Sequence, residues 1–186
     1  MSKILRWPLW LLEAIPFFLA MGVFRLLGVD GASAAGGWLA RTLAPLSPAH
    51  GTAKRNLKRA FPQKGEAEIA AILKGMWDNL GRTFAEYPHF RAFSGYPNAR
   101  IALEGLAVAE AAKAAGKGVI ALSGHCANWE LMALTAHQCG MHGAEIYRPI
   151  NNPLVNAWIV RQRSRYAYPL QISKLGGQGA RDMLRT

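Results

Sequence analysis

The sequence is poor in cysteine and in acidic residues. Its 186 residues include two cysteines, too few for the disulfide framework of a small secreted protein, so a reducing compartment suits it better. Asp and Glu number 11 against 22 Lys and Arg, which gives a formal charge of +11. Such a charge attracts anionic partners. The basic residues are not interleaved with aromatic side chains in a recognisable module, so we predict no nucleic-acid partner.

Spacings typical of metal and phosphate sites are also missing. One cluster of candidate ligands contains no C-x2-C or H-x3-H pair: His125, Cys126, His137, Cys139 and His142. The glycine-rich residues 176–179 lack the lysine and the serine or threonine that a phosphate-binding loop needs. Zinc at the first cluster is the alternative that these spacings disfavour. We therefore predict no metal site and no cofactor.

A long apolar run stands near the amino terminus. Residues 7–24 carry one charge, Glu13, and basic residues flank both ends. A spanning helix needs roughly 20 apolar residues, so this run is of borderline length. Glu13 and Pro16 interrupt it, and no small-residue cleavage site follows, which disfavours a signal peptide. The run predicts a membrane anchor or interfacial helix within residues 1–29, and a buried core helix is the alternative.

Residues 30–96 have the pattern of a helical region. Asp30-Gly31 is predicted to close the first helix, and a short second helix follows over residues 32–46. Residues 66–87 have the strongest apolar periodicity, near 3.6, and Pro88 is predicted to end that helix. Between them lies a short helix with one basic face, which is either solvated or in contact with anionic lipid: Lys54, Arg55, Lys58 and Arg59.

After Pro97 the pattern changes to alternating strands and helices. The predicted strands are 100–103, 119–122, 144–147 and 170–172, and the predicted helices are 106–115, 128–138, 153–165 and 178–185. Such alternation is typical of a mostly parallel sheet with flanking helices. We predict an α/β fold: a helical, membrane-associated amino-terminal part followed by an α/β core over residues 97–186. We expect its sheet to be incomplete, because the strands are few and short.

The strongest candidate for catalysis follows the predicted strand 119–122. His125 comes directly after its carboxyl end, which is where sites form in parallel α/β sheets. Asn128 is predicted to cap the next helix and to place Glu130 in its first turn. Glu130 would then orient one nitrogen of the imidazole, and the other would take a proton from an alcohol. This pattern favours acyl transfer to a hydroxyl, but H-x4-E also occurs by chance.

Several motifs in one order are more specific than the pair alone. Residues 124–130 read G-H-C-A-N-W-E, residues 54–62 read K-R-N-L-K-R-A-F-P, and residues 147–153 read Y-R-P-I-N-N-P. A helix between the first two ends near Glu86, and an arginine-bearing helix follows the last. With the apolar amino terminus, these segments make the chain resemble the lipid A biosynthesis lauroyl/myristoyl acyltransferases, the bacterial late acyltransferases with an H-x4-D/E motif.

The resemblance implies a role for each matched residue. His125 would deprotonate a hydroxyl of a lipid A precursor, and Glu130 would orient it and compensate its charge. The hydroxyl would attack the thioester of an acyl carrier protein without an acyl-enzyme. Either Arg161 or Arg163 would bind phosphate or stabilise the oxyanion. The remaining substrate-binding candidates are Asn128 and Arg148.

The resemblance also implies a place of action and leaves rivals open. It implies the cytoplasmic face of the bacterial inner membrane, with a phosphorylated glycolipid as acceptor. Family members extend beyond the point where this sequence stops, so the α/β core is expected to be truncated relative to them. The rival hypotheses are an inactive relative or fragment with a membrane-bound interaction role, an acyltransferase for another glycolipid or aminolipid, and acyl-CoA as donor.

Overall fold

The computed structural model describes residues 3–95, 97–116, 118–174 and 181. Backbone contacts divide the chain into two compact units. The helical unit comprises residues 20–89 and 125–128, and the α/β unit comprises residues 1–19, 90–124 and 129–186. Each is described by itself.

The helical unit is built from four helices joined by short connections. They are the last part of α1 (Lys3–Leu26), then α2 (Gly28–Leu43), α3 (Pro48–Ala60) and α4 (Glu66–Glu86). A 3₁₀ turn, Ala44–Leu46, joins α2 to α3. The predicted end of the first helix at Asp30-Gly31 is wrong. The break falls at Leu27 and Gly28, where Gly28 has a φ of 70°, a left-handed conformation that glycine adopts without strain.

The packing of α2 against α4 depends on glycine. A Cβ added at Gly36 would collide with the carbonyl oxygen of Gly81, and one added at Gly81 would collide with the carbonyl oxygen of Gly36. The two helix backbones therefore touch where they cross. The apolar face of α4 supplies several of the buried side chains of the unit, as its periodicity predicts: Ile69, Leu73 and Trp77.

The chain does not leave helical structure at Pro88, where α4 is predicted to end. The α-helix stops at Glu86, but the chain continues as a 3₁₀ helix over Tyr87–Phe93. Proline has no N–H to donate, so Pro88 removes an α-helical hydrogen bond without preventing the narrower helix. Tyr87, Phe90 and Phe93 are buried along it.

The α/β unit contains a small parallel sheet. Strand β1 (Ala144–Tyr147) pairs with β2 (Leu170–Ser173), with Ala144 opposite Leu170 and Tyr147 opposite Ser173. Helix α7 (Pro153–Tyr166) connects the two strands, and α5 (Leu106–Ala114) and α6 (Glu130–Gln138) precede them. The predicted α/β class is confirmed, as are both of these strands and their parallel direction.

Two predicted strands are wrong. Residues 119–122 have no regular structure, and the side chains of Ile120 and Leu122 are 89% and 91% exposed. Residues 100–103 contribute only an isolated antiparallel bridge between Asn98 and Ile101. An apolar run becomes a strand only if a neighbouring strand takes up its N–H and C=O groups. Among the described residues the regular strands are β1 and β2, which pair with each other. The predicted helix 178–185 lies outside the described residues, apart from Arg181.

Helix α1 is the most apolar element. Its segment Arg6–Leu26 is long and apolar enough to cross a membrane, and 17% of that stretch is buried. Its one acidic residue is held within the α/β unit, since Asn152 Nδ2 donates to Glu13 Oε2 at 3.0 Å and to the carbonyl of Trp10 at 2.8 Å. Trp158 of α7 lies edge-on to Phe17 at 5.5 Å. The lone charge in the apolar run therefore has a partner in the protein.

Candidate active site

The motif residues 125–128 are held against α4 within the helical unit. The carbonyl of Ala127 accepts hydrogen bonds from Asn79 Nδ2 and from Thr83 Oγ1, both at 3.1 Å. Asn128 Nδ2 donates to Glu86 Oε2 at 2.6 Å. Asn79, Thr83 and Glu86 are spaced by four and three residues, so they lie on one face of α4. That face fixes the backbone that follows His125.

The backbone of this segment is unusual at one residue. Ala127 has a φ of 48°, in the left-handed region that side chains other than glycine rarely adopt. Two hydrogen bonds to its own carbonyl hold it there. Strain of this kind costs of order 1–3 kcal/mol and persists only where neighbours over-determine it. His125 and Cys126, just before it, are exposed.

Asn128 does not cap helix α6. The residue before the helix is Trp129, in an α conformation and without a side-chain cap bond, and the amide of Asn128 is directed to Glu86 instead. The predicted N-cap is therefore wrong: α6 begins after Trp129, and the Asn128 side chain is oriented by the bond that its Nδ2 donates to the charged carboxylate of Glu86. The predicted place of Glu130 is confirmed, since it is the first residue of α6.

Among the described acids of the α/β unit, Glu130 is the least exposed. Its side chain is 3% exposed, and both carboxylate oxygens are engaged. Arg163 Nε donates to Oε2 at 2.8 Å, and Arg163 Nη2 donates to Oε1 at 2.6 Å. The indole nitrogen of Trp129 donates to Oε1 at 2.8 Å. A buried carboxylate needs such partners, and the planar guanidinium supplies two parallel bonds at once.

A second acid lies near this ion pair. Burial raises the pKa of Glu145 in β1, while Gln171 donates to its carboxylate and Arg163 attracts its charge, both of which act against the rise. The guanidinium of Arg163 also lies over the ring of Tyr147, 5.7 Å from the centroid. Arg163 is therefore the cationic centre of a polar cluster that joins α6, α7 and β1.

The remaining arginine candidates are on the surface. Arg148 and Arg161 are both exposed, and within the described part of the chain neither makes an ion pair. Of the three predicted arginines, the structure brings Arg163 to Glu130 and leaves the other two open to solvent. His125 belongs to one unit and Glu130 to the other, so their pairing stays a prediction. No group of three or more His, Cys, Asp or Glu within the described ranges is arranged to hold a metal ion.

Comparison with known families decides what this chain is related to. A family model described as bacterial lipid A biosynthesis acyltransferase matches residues 3–174. The chain belongs to that family. No curated protein and no solved structure matches it. The family indicates acyl transfer in lipid A biosynthesis, and the predicted family is confirmed.

In this member of the lipid A acyltransferase family, several residues that support the candidate site have no role in the sequence-based prediction. Asn79, Thr83 and Glu86 support the motif from α4, although their segment was among the motifs that carry the resemblance. Asn152 of the segment 147–153 caps α7 through its Oδ1, which accepts from Leu154 N at 3.1 Å. The resemblance of these segments to the family in residue type and spacing was the available signal. It did not show which side chain each residue contacts.

Proposed function

We propose that this chain transfers a fatty acyl group from the thioester of an acyl carrier protein to a hydroxyl of a lipid A precursor. The observation that carries the proposal is that hydrogen bonds from α4 hold the backbone of residues 125–128, with a strained Ala127 two residues after an exposed His125. A general base must be fixed in place and open to its substrate. Membership of the family supplies the reaction class.

In the proposed reaction His125 acts as the general base. Its neutral imidazole takes the proton of the acceptor hydroxyl, and the oxygen attacks the thioester carbonyl carbon. The tetrahedral oxyanion collapses, the carbon–sulfur bond breaks, and the thiolate takes the proton back from the imidazolium. The products are an ester and the free thiol of the carrier. Glu130 is proposed to stabilise the transient positive charge on His125.

The three arginines receive different proposed roles. Arg163 is a positioning residue, because its guanidinium is bonded to both oxygens of the Glu130 carboxylate. Arg148 and Arg161 are exposed, and they are the better candidates for the phosphate groups of the acceptor or for the acidic carrier. The net charge of +11 favours the same partners.

The proposed location is the cytoplasmic face of the bacterial inner membrane. The segment Arg6–Leu26 supports it through its length and composition, and through outward-facing leucines: Leu12, Leu19 and Leu26 are 69%, 67% and 86% exposed. A large apolar surface of this kind suits lipid better than water. Flotation with bacterial membranes tests the location.

The test is transfer of a labelled acyl chain from acyl carrier protein to a lipid A precursor. We expect His125→Ala to lower kcat at least about 100-fold, the usual contribution of a general base. His142→Ala is the matched control, because His142 is also exposed and has no place in the proposed mechanism. Parallel reactions with acyl-CoA and with a dephosphorylated acceptor identify the donor and the role of phosphate. Full activity of His125→Ala would refute the mechanism.

A further inference from the structure

A small cationic cavity lies in the helical unit, and none of the motif residues 125–128 lines it. Its volume is about 180 Å³. Pro45 lies at its edge, and the side chains that matter for binding come from α2, α3 and α4: Arg41, His50, Lys54, Leu73, Lys74 and Trp77. We call it the α3–α4 cleft. No acidic residue is among the described residues that line it.

The cations of the α3–α4 cleft are not equally neutralised. Arg41 forms an ion pair with Asp78, and Lys54 Nζ lies 2.9 Å from Glu66 Oε2. Lys74 is exposed and has no ion-pair partner in the part of the chain that the structure describes. The cleft therefore keeps an excess of positive charge next to the buried ring of Trp77.

His50 adds a directed donor. The indole nitrogen of Trp77 donates to His50 Nδ1 at 3.0 Å, and the two rings stack with centroids 6.3 Å apart. Because Nδ1 accepts this bond, the ring hydrogen of the neutral imidazole lies on Nε2. An N–H donor on a ring held by Trp77, in a cleft that two lysines also line, suits the oxygens of a phosphate group.

The size of the cleft limits the ligand to a small anion or headgroup. Sites for drug-sized molecules have volumes of about 300–1,000 Å³, and each water molecule takes ~30 Å³. The cleft thus holds a phosphate and a short attachment, and it is too small for an acyl chain. Leu46, next to Pro45, is 83% exposed, and Leu43 is 51% exposed. Exposed leucines beside a cationic site favour an amphiphilic ligand.

We propose that the α3–α4 cleft binds the phosphate of an anionic lipid headgroup at the membrane surface. It is separate from the proposed reaction at His125, and it uses residues to which that reaction assigns no role. The structure also separates it from a diffuse basic surface on α3. Lys58 of that surface is paired with Glu66 and does not line the cleft, whereas Lys74 lines the cleft and is not paired with an acid among the described residues.

The test compares binding of the full chain to two kinds of vesicle. One contains phosphatidylcholine alone, and the other contains phosphatidylcholine mixed with phosphatidic acid. The measured quantity is the ratio of the two partition coefficients, so that insertion of α1 cancels. We expect Lys74→Gln and Lys54→Gln each to lower the ratio at least about fivefold, because each removes one charge-assisted hydrogen bond to the phosphate.

Arg55→Gln is the matched control. Arg55 is exposed on α3 beside Lys54, removes the same charge when changed, and does not line the cleft. We expect it to change the ratio less than twofold. Equal losses in all three variants would show a diffuse surface charge and would overturn the proposal, as would no loss in any.

Inorganic phosphate distinguishes the two ligands that could supply a phosphate group to the cleft, a lipid headgroup and free phosphate. Its addition should shift the indole N–H resonance of Trp77 in the parent protein and much less in Lys74→Gln. It should also compete with phosphatidic acid for the protein. If phosphate shifts that resonance but vesicles with phosphatidic acid bind no better than neutral vesicles, the ligand is a free phosphate and the lipid assignment is wrong. Acyl transfer, measured separately, does not enter either outcome.

Discussion

Arg163 holds both oxygens of the Glu130 carboxylate, with bonds of 2.8 Å from Nε and 2.6 Å from Nη2. The acid is 3% exposed, and the side chain of Arg163 is 17% exposed. An acid that is predicted to act in catalysis is thus also one half of a buried ion pair. If a Glu130 variant loses activity, stability measurements distinguish loss of the proposed catalytic role from loss of the ion pair.

Changing either partner of this pair should destabilise the protein. We expect Glu130→Gln and Arg163→Met each to lower the free energy of unfolding by about 3 kcal/mol, because each leaves an uncompensated buried charge. The double variant should recover part of that loss, which a double-mutant cycle in denaturant measures. Arg161→Met, two residues away and exposed, is the control and should change stability by less than ~0.5 kcal/mol. Equal effects in the three single variants would disprove the pairing.

The local patterns predicted the helices that carry their own start signals. Helix α7 was predicted over 153–165 and extends over Pro153–Tyr166, because Asn152 and Pro153 mark its beginning in the sequence. Helix α4 was predicted over 66–87 and ends at Glu86. The strand predicted over 119–122 was wrong, since strand formation depends on a partner elsewhere in the chain.

The sequence indicated candidate residues for the site but not the contacts that they make. The motif indicated His125 and Glu130, but the partner of Glu130 is 33 residues away in sequence. The same holds for Asn128, whose acceptor Glu86 is 42 residues away. Periodicity and capping rules describe neighbours along the chain, so they assigned Asn128 to the nearest helix. Long-range pairing had to come from the structure.

Asn152 joins two elements of the α/β unit, and its variants separate its two functions. Asn152→Asp keeps the oxygen that caps α7 but places a carboxylate beside that of Glu13. Asn152→Ala removes the cap as well. We expect both to lose about 1–2 kcal/mol of stability at neutral pH, because the carbonyl of Trp10 and the carboxylate of Glu13 lose their donor and, in Asn152→Ala, the cap is lost as well. The deficit of Asn152→Asp alone should shrink in acid, where carboxylates are protonated.

The neighbouring Asn151 provides the control for this experiment. It is exposed, whereas Asn152 is 5% exposed. Asn151→Ala should leave the thermal unfolding midpoint nearly unchanged. A midpoint for Asn152→Ala equal to that of Asn151→Ala would mean that neither the cap nor the contact with α1 contributes to stability.

The crossing of α2 and α4 should not tolerate a single methyl group. Gly81→Ala places a Cβ against the carbonyl oxygen of Gly36, so we expect a loss of about 1–3 kcal/mol from overpacking. Gly75→Ala lies in the same helix with nothing within 4 Å of its added Cβ. It should gain up to ~1 kcal/mol, because alanine favours the helix more than glycine does. Chemical denaturation compares them, and a neutral Gly81→Ala would contradict the close approach.

Stability should depend on pH through Glu145. Burial raises the pKa of its carboxyl above the ordinary value of 4.5. The folded chain therefore disfavours ionisation, and the stability that the protonated form contributes is lost as the pH rises from 4.5 through the raised value. We expect Glu145→Gln to be more stable than the parent at neutral pH, with a difference that vanishes below pH 4.5. Unfolding curves across this range measure it.

Glu68→Gln gives the opposite sign. The hydrogen bond from Lys64 lowers the pKa of the exposed Glu68, so its contribution is present above the ordinary value of 4.5 and is lost as the pH falls through the lowered value. The variant should therefore be slightly less stable than the parent at neutral pH and equal to it in acid. For Glu145, the contrary outcome is a parent protein with a higher free energy of unfolding than Glu145→Gln at neutral pH. That result would refute the burial argument.

The bond from Asn152 to Glu13 sets the rotation of α1 about its own axis. In a helix made largely of apolar residues, hydrophobicity distinguishes one side poorly from another. A single carboxylate with a fixed amide partner removes that freedom, because turning the helix would leave the charge alone among apolar side chains. Glu13 thus determines which leucines of α1 face outward. A single polar residue fixes the rotational orientation of an apolar helix.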